Sequence, residues 1–127
     1  MHSSLSISKQ TKGTLPRVPF GAIKDKILGK SYELSLAFVS QAFSRKLNRQ
    51  MRGKDKSTNI LSFELSKNSG EIFIDLVQTR KDCPNFDMNY TQFTKFLFIH
   101  GCLHLKGMQH GSIMEKEEQK FLKFFSK

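Results

Sequence analysis

The chain reads as an α+β fold in one domain, with about four β-strands and about five helices. Three observations predict it. At 127 residues the chain has the length of one domain, and a domain near that size buries roughly two-thirds of the surface its unfolded chain exposes. Three segments alternate apolar and polar residues with the period of a strand, while four others repeat apolar residues with the period of a helix. No internal repeat or low-complexity linker marks a boundary, so residues 1–127 are expected to form a single unit.

The elements follow in order. Residues 1–16 carry Ser, Lys and Gly, and Leu5 and Ile7 alternate with serines, which fits either a short edge strand or a loose arm. Residues 18–29 predict a helix with Ile23, Ile27 and Leu28 on one face and Gly29 as its stop. Tyr32, Leu34, Leu36 and Phe38 occupy every second position of 31–39, the period of a strand with one buried face. Ser40 can cap a helix over 41–52, whose expected inner face is Phe43, Leu47 and Met51. Arg45, Arg49 and Arg52 form a basic stripe beside that face. Gly53 ends the helix, and Lys54 and Lys56 extend the positive region into the loop.

Residues 58–65 and 71–77 predict two strands, with Leu61, Phe63 and Leu65 on one face of the first and Ile72, Ile74 and Leu76 on one face of the second. Lys67-Asn68-Ser69-Gly70 between them has turn chemistry, so the pair should be an antiparallel hairpin. Residues 78–88 are polar, contain Pro84, and read as a loop with at most one helical turn. Residues 89–106 form the longest helix, on which Phe93, Leu97, His100 and His104 project within roughly 60° of one another. Gly107 breaks it. Ser112 and Glu115 have capping-box spacing for a last helix, 112–125, that turns Met114, Phe121, Leu122 and Phe125 inward.

Charge and cysteine usage narrow the function classes. Lys and Arg number 21 against 11 Asp and Glu, a formal net charge of +10. A field of that sign draws polyanions: RNA, DNA or an anionic membrane. Two widely spaced cysteines, Cys83 and Cys102, make no disulfide framework and are expected to stay reduced in a cytosol. Residues 1–15 hold no apolar run of signal-peptide length, and no stretch approaches the ~18 apolar residues that read as a span. A cytoplasmic protein without a membrane partner is the expectation.

Three of the four histidines lie within eleven residues, His100-Gly-Cys-Leu-His104-Leu-Lys-Gly107-Met-Gln-His110. Imidazoles at i and i+4 sit one above the other on a helix face and can aim at one ion about 2.0–2.1 Å from each nitrogen. A third ligand six residues on would miss if the helix continued; Gly107 supplies the turn, since glycine takes positive φ without penalty. Three neutral imidazoles suit one Zn2+ per chain and leave the fourth tetrahedral position to water, the mark of a catalytic site, where zinc can lower the water's pKa to about 7. Cys102, two residues after His100, points about 200° away from it and is a packing residue rather than a ligand. The metzincin peptidases share this histidine spacing, but their general base is a Glu directly after the first His. Here that position is Gly101, which argues against a peptidase.

The stretch HGCLHLKGMQH resembles the H-G-x-L-H-L-x-G-Y-D-H signature of the YbeY family, the bacterial rRNA maturation factors. LNRQMRGKDKSTNILSFEL, residues 47–65, resembles that family's L-N-x-x-Y-R-G-K-D-x-P-T-[DN]-V-L-S-F segment. Gly70-Glu71-Ile72 stands where the family has Gly-Asp-Ile, and Met114-Glu115 with Glu118 resembles its closing M-E-x-x-E. The resemblance implies a small mixed β-sheet with helices on it and a zinc site at the C-terminal helix-turn. It implies a metal-dependent endoribonuclease specific for single strands, acting in maturation of the 3′ end of small-subunit (16S) rRNA and in ribosome quality control. The implied partners are single-stranded RNA, the small ribosomal subunit and its assembly factors. His100, His104 and His110 match the ligands, and Arg52 matches the family's Arg beside the site. Departures are Gln109 for Asp, Met108 for Tyr, and Lys56-Ser57 where a residue and Pro are usual. An Asp at 109 could orient an imidazole from behind, so Gln109 bears on ligand tuning more than on ligation.

On this reading catalysis rests on His104 with its metal and on Arg52, whose guanidinium clamps the phosphate and stabilises charge growing in the transition state. Arg45, Arg49, Lys54 and Lys56 would track the RNA backbone, giving affinity without sequence reading. Glu64, Glu71, Asp75 and Glu118 are general-base candidates by type alone; Glu71 and Asp75 share a strand face, so one of them could approach the metal, although an exposed carboxylate is the favoured reading. The rival reading is a non-catalytic ribosome-assembly or RNA-binding factor whose metal is structural.

Overall fold

β2 (Glu33–Val39) is the strand on which the sheet is built, pairing in parallel with β1 (Leu5–Lys9) on one side and β4 (Ser69–Asp75) on the other. β3 (Ile60–Ser66) adds to β4 in antiparallel sense, so the order β1-β2-β4-β3 is a mixed sheet with β3 on an edge. In the computed structural model, residues 4–126 are described; of the N-terminal 1–16, residues 1–3 lie outside that range. The N-terminal segment takes the strand alternative rather than the loose arm: Leu5 pairs with Leu34 and Lys9 with Phe38.

Among the described residues five α-helices complete the fold: α1 (Phe20–Leu28), α2 (Gln41–Arg52), α3 (Leu76–Asp82), α4 (Tyr90–Leu105) and α5 (Ser112–Phe124), with a short 3-10 turn at Cys83–Phe86. α4 lies against β3 and β4 and is flanked by α1 and α5, while α2 contacts β4. The main core forms under α4, where Phe20, Phe38 and Phe98 meet, Phe20 standing edge-on to Phe98 at 5.0 Å. Such pairs add about 0.5–1.5 kcal/mol beyond the area they bury. β2 is more deeply placed than a strand with one wet face. Ala37 and Val39 are buried along with Leu34, Leu36 and Phe38, because the strand is internal to the sheet.

Four sequence expectations are corrected. The inner face of α2 is not Phe43, Leu47 and Met51: Phe43 is 40% and Met51 58% exposed, and the buried residues are Ser44 and Asn48. The helix turns a polar face inward because the loop after it folds back across that face. Ser44 Oγ donates to the Thr58 carbonyl and accepts from the Thr58 N–H, and Asn48 Nδ2 donates to the Lys56 carbonyl. The second hairpin strand ends at Asp75, whose side chain accepts from the Gln78 N–H and starts α3; apolar Leu76 and Val77 had prolonged the strand pattern. The loop expected over 78–88 is therefore largely helical. Ser112 is the first residue of α5 rather than its cap, which is Gly111 with no side-chain bond.

The hairpin turn itself is Lys67-Asn68, and Gly70 belongs to β4. Its glycine answers to space. A Cβ there would stand 2.5 Å from the Tyr32 hydroxyl and 3.0 Å from both Leu105 methyls. Gly70→Ala is therefore expected to destabilise the fold by about 1–3 kcal/mol. Gly21→Ala, in α1 with nothing within 4 Å of the added Cβ, should stabilise it by about 0.5–1 kcal/mol. Denaturant melts of the two variants, run side by side, check both signs.

Candidate metal centre

α4 begins with a full capping box: Asn89 Oδ1 accepts from the Gln92 N–H and Gln92 Oε1 accepts from the Asn89 N–H. Phe98, Ile99, Cys102 and Leu103 are buried against the core. Gly101 lets the helix approach the sheet, since a Cβ there would lie 3.0 Å from the Cδ1 atoms of Ile60 and Ile72. That close approach explains why no carboxylate follows the first histidine. A side chain at 101 would run into the sheet. Cys102 is fully buried, its thiol pushed up by burial, and it takes no part in the histidine cluster.

The end of α4 is a Schellman motif. The Gly107 N–H donates to the His104 carbonyl, the Met108 N–H donates to the Leu103 carbonyl, and Gly107 has φ 109°. Met108 packs on the core as the motif's apolar contact. The chain thus reverses and brings His110 back, with its ring centroid 4.6 Å from His104 and 5.1 Å from His100. One ligand atom from each of the three histidines lies within 4.8 Å of the other two. His100 and His104 are half-buried and His110 is exposed.

Hydrogen bonds decide which ring nitrogens face the centre. His104 Nδ1 donates to the Met108 carbonyl at 3.0 Å, and a carbonyl can only accept. His100 Nδ1 donates to the carboxylate of Glu118, which α5 buries behind it. In each neutral ring the remaining Nε2 then carries a lone pair. The two Nε2 atoms stand 3.0 Å apart, close to the ~3.3 Å spacing of two nitrogens on one tetrahedral zinc-sized ion. Two lone pairs facing each other repel unless a cation lies between them. Burial pushes His104 below its ordinary pKa, with His100 adding to the effect, which favours the neutral ring a metal needs. The donor set fits a metal ion, and His100, His104 and His110 are the residues that could hold it.

The side chain of residue 109 does not supply the acceptor behind the rings. Gln109 is exposed, and that part falls to Glu118 and to the backbone of residue 108. The change from Tyr to Met at 108 therefore leaves the His104 contact intact. Glu118, a base candidate by residue type in the sequence, is the carboxylate behind His100 in the structure. Its signal was the spacing Met114-Glu118, one helical turn, which puts both on α5's inward face.

The histidines open on a cleft of about 560 Å³ between α4 and the edge strand β3. Arg52 and Glu64 line it from the other side. The remaining predicted RNA contacts are not gathered there. Arg45 forks onto Asp55 through Nε and Nη2 at 3.0 and 3.1 Å, and Arg49 reaches the same carboxylate at 3.5 Å. The Arg45 bond holds Asp55 below the usual carboxylate range. Lys56 lines a neighbouring groove with Arg45 and Lys81, and Lys54 is exposed in the loop. Glu71 alternates with Ile72, so with Phe73 and Asp75 it lies on the sheet face turned to α2, away from α4; neither Glu71 nor Asp75 approaches the histidines as the shared strand face had suggested.

Comparison with known proteins gives the family. A family model described as Endoribonuclease YbeY matches residues 3–126. A Halalkalibacterium halodurans protein named Endoribonuclease YbeY is 32% identical over 112 residues, covering 76% of this chain and 69% of the relative. One of the same name from Treponema denticola is 34% identical over 106 residues, covering 75% and 67%. One from Pelotomaculum thermopropionicum is 27% identical over 138 residues, covering 96% and 91%. A solution structure from Thermotoga maritima superposes with a TM-score of 0.67 at 24% identity, covering 94% of this chain and 87% of that one, and bears on the fold alone. The chain, with its mixed sheet and its three convergent histidines, belongs to the YbeY family of endoribonucleases.

Proposed function

We propose that residues 1–127 act as one zinc-dependent hydrolase domain that cuts single-stranded RNA, maturing the 3′ end of 16S rRNA and serving ribosome quality control in the cytoplasm. The observation that carries this reading is the pair of Nε2 lone pairs 3.0 Å apart beside a cleft lined by Arg52. The relatives' shared name, Endoribonuclease YbeY, supports RNA as the substrate. Small-subunit RNA, the small ribosomal subunit and its assembly factors are the partners the reading implies. No helix among the described residues is long and apolar enough to cross a membrane.

Zinc on His100, His104 and His110 would supply Lewis acidity and acidify water at neutral pH. The chain's own residues do the rest. Glu118 and the Met108 carbonyl hold the imidazoles in the tautomer that leaves Nε2 free. Arg52 binds a phosphate in the cleft and faces the charge that grows on it. Glu64 is the carboxylate among the cleft-lining residues and is the proton acceptor of this proposal. Arg45, Arg49, Lys54 and Lys56, lying outside the cleft, attract the strand without touching the reacting phosphate.

A structural metal in a non-catalytic assembly factor would be closed by a fourth protein donor. Among the described residues the cluster has three, which favours the catalytic reading.

The roles assigned to Arg52, His104 and Glu118 each predict an outcome. Arg52→Ala should lower kcat/KM on a single-stranded RNA by about 10²–10³-fold, the size of losing one transition-state donor, with metal content unchanged by elemental analysis. His104→Ala and chelation should abolish cutting, and a metal-free preparation cutting at full rate would refute the proposal. Glu118→Gln keeps an acceptor but removes its charge; it should weaken zinc binding about 10–100-fold in a chelator competition while leaving the circular dichroism spectrum unchanged.

A further inference from the structure

An aromatic stack runs from the protein surface to the metal centre. Phe86, the last residue of the 3-10 turn, stacks on Phe93 with centroids 4.8 Å apart. Phe93 and Phe96 lie 6.1 Å apart, and Phe96 lies 6.0 Å from the His100 ring. The tilts between neighbouring rings run from 15° to 34°, so the rings are close to parallel. Phe93 is buried, Phe96 half-buried, and Phe86 52% exposed. None of the three belongs to the main core. The turn that presents Phe86 is well defined: Asp87 closes it in the left-handed region at φ 54°, and its N–H donates to the Pro84 carbonyl. The Phe86 ring covers one side of buried Phe93 and still leaves about half of its own surface in water, near the half-buried Phe96.

We propose that Phe86 and Phe96 form a stacking platform for an unpaired nucleobase of the strand whose phosphate lies in the cleft. The proposal rests on the RNA-cutting reading and deepens it. His100 links the two features, since it lines the cleft with Arg52 and its ring lies against Phe96. Base–aromatic stacking tolerates any sequence because every base has a π-face. It also selects against duplexes, whose bases have both faces covered by their neighbours. The platform thus gives a physical source for single-strand preference that the metal and the arginine alone lack. Phe93, buried behind, supports the other two and does not meet the base.

The test uses the metal-loaded protein and a single-stranded oligonucleotide carrying one 2-aminopurine, in DNA form so that binding is read without RNA cleavage. The native protein should quench the 2-aminopurine fluorescence on binding. Phe86→Leu and Phe96→Leu should each reduce the quench and weaken binding about fivefold or more, with little change for the matching duplex. Phe86→Leu should keep a cooperative melt lowered by no more than the few degrees that loss of one ring pair costs, which separates stacking from folding. If both leucine variants keep native affinity and quench while Arg52→Ala weakens binding, the platform is refuted and the RNA reading stands. If the native protein neither binds the single strand nor cuts RNA, both fall. If the variants alter self-association and leave oligonucleotide binding untouched, the rings cover a second copy of the chain, and the platform is refuted.

Discussion

Two imidazole Nε2 atoms held 3.0 Å apart and turned toward a common point are the constraint around which the C-terminal half of the chain is arranged. The arrangement is unfavourable by itself and persists because each ring is fixed from behind. His104 is fixed by a carbonyl that exists in the right place only because the Schellman turn puts residue 108 there. His100 is fixed by Glu118, which reaches it only because α5 buries Met114 and Phe121 and so carries the carboxylate inward. Burying that carboxylate would cost several kcal/mol unpaired. Its bond to the imidazole offsets the cost and orients the ring at once. The last helix therefore orients the histidine cluster although it contributes no ring to it.

The opposite wall of the cleft shows the same subordination of packing to placement. An amphipathic helix would normally turn its apolar stripe to the protein. α2 instead buries Ser44 and Asn48 and leaves Met51 more than half exposed, with Phe43 only partly covered by Phe73. The polar pair satisfies backbone groups of the returning loop, which would otherwise be buried without partners. Asn59, at the loop's end, donates to Asp82 of α3, and its carbonyl accepts from Asp75. These bonds fix the approach to β3, whose edge lines the cleft, and the αL glycine at 53 lets the chain leave Arg52 beside it. On the α4 side, Gly101 removes a side chain so that the histidine helix can lie close to Ile60 and Ile72.

What could be read in the sequence was whatever depends on local periodicity or on a turn. The hairpin, the histidine-bearing helix, its glycine stop and the return of His110 all follow from residues within about two helical turns of one another. What could not be read depends on contacts distant in the chain. The polar inner face of α2 is set by a loop that a hydrophobic pattern cannot foresee. Leu76 and Val77 fit a strand and a helix equally, and only the bond from Gln78 to Asp75 decides between them. Gly70 looked like part of the turn, but its reason is Tyr32 and Leu105, 38 and 35 positions away in the chain. Glu118 had no visible role because its partner is 18 residues upstream on another helix. The aromatic rings could not be sorted into core and surface by type; exposure alone separates Phe86 from Phe98.

The distribution of charge separates steering from docking. The chain carries +10, yet the cleft-lining residues include one arginine and one glutamate, Arg52 and Glu64, whose formal charges cancel. Arg45 and Arg49 share Asp55 on the outer side of α2, so three charged groups there leave a single net positive charge. The excess cations thus lie over the rest of the surface, where salt screens them beyond about 8 Å at physiological ionic strength. A surface of that kind raises the rate at which a polyanion arrives and holds no single phosphate in register. On the proposed RNA-cutting reading, register has to come from directional contacts in and beside the cleft: the fork of Arg52, the backbone and side chains of the β3 edge, and the faces of the aromatic rings that lead away from His100.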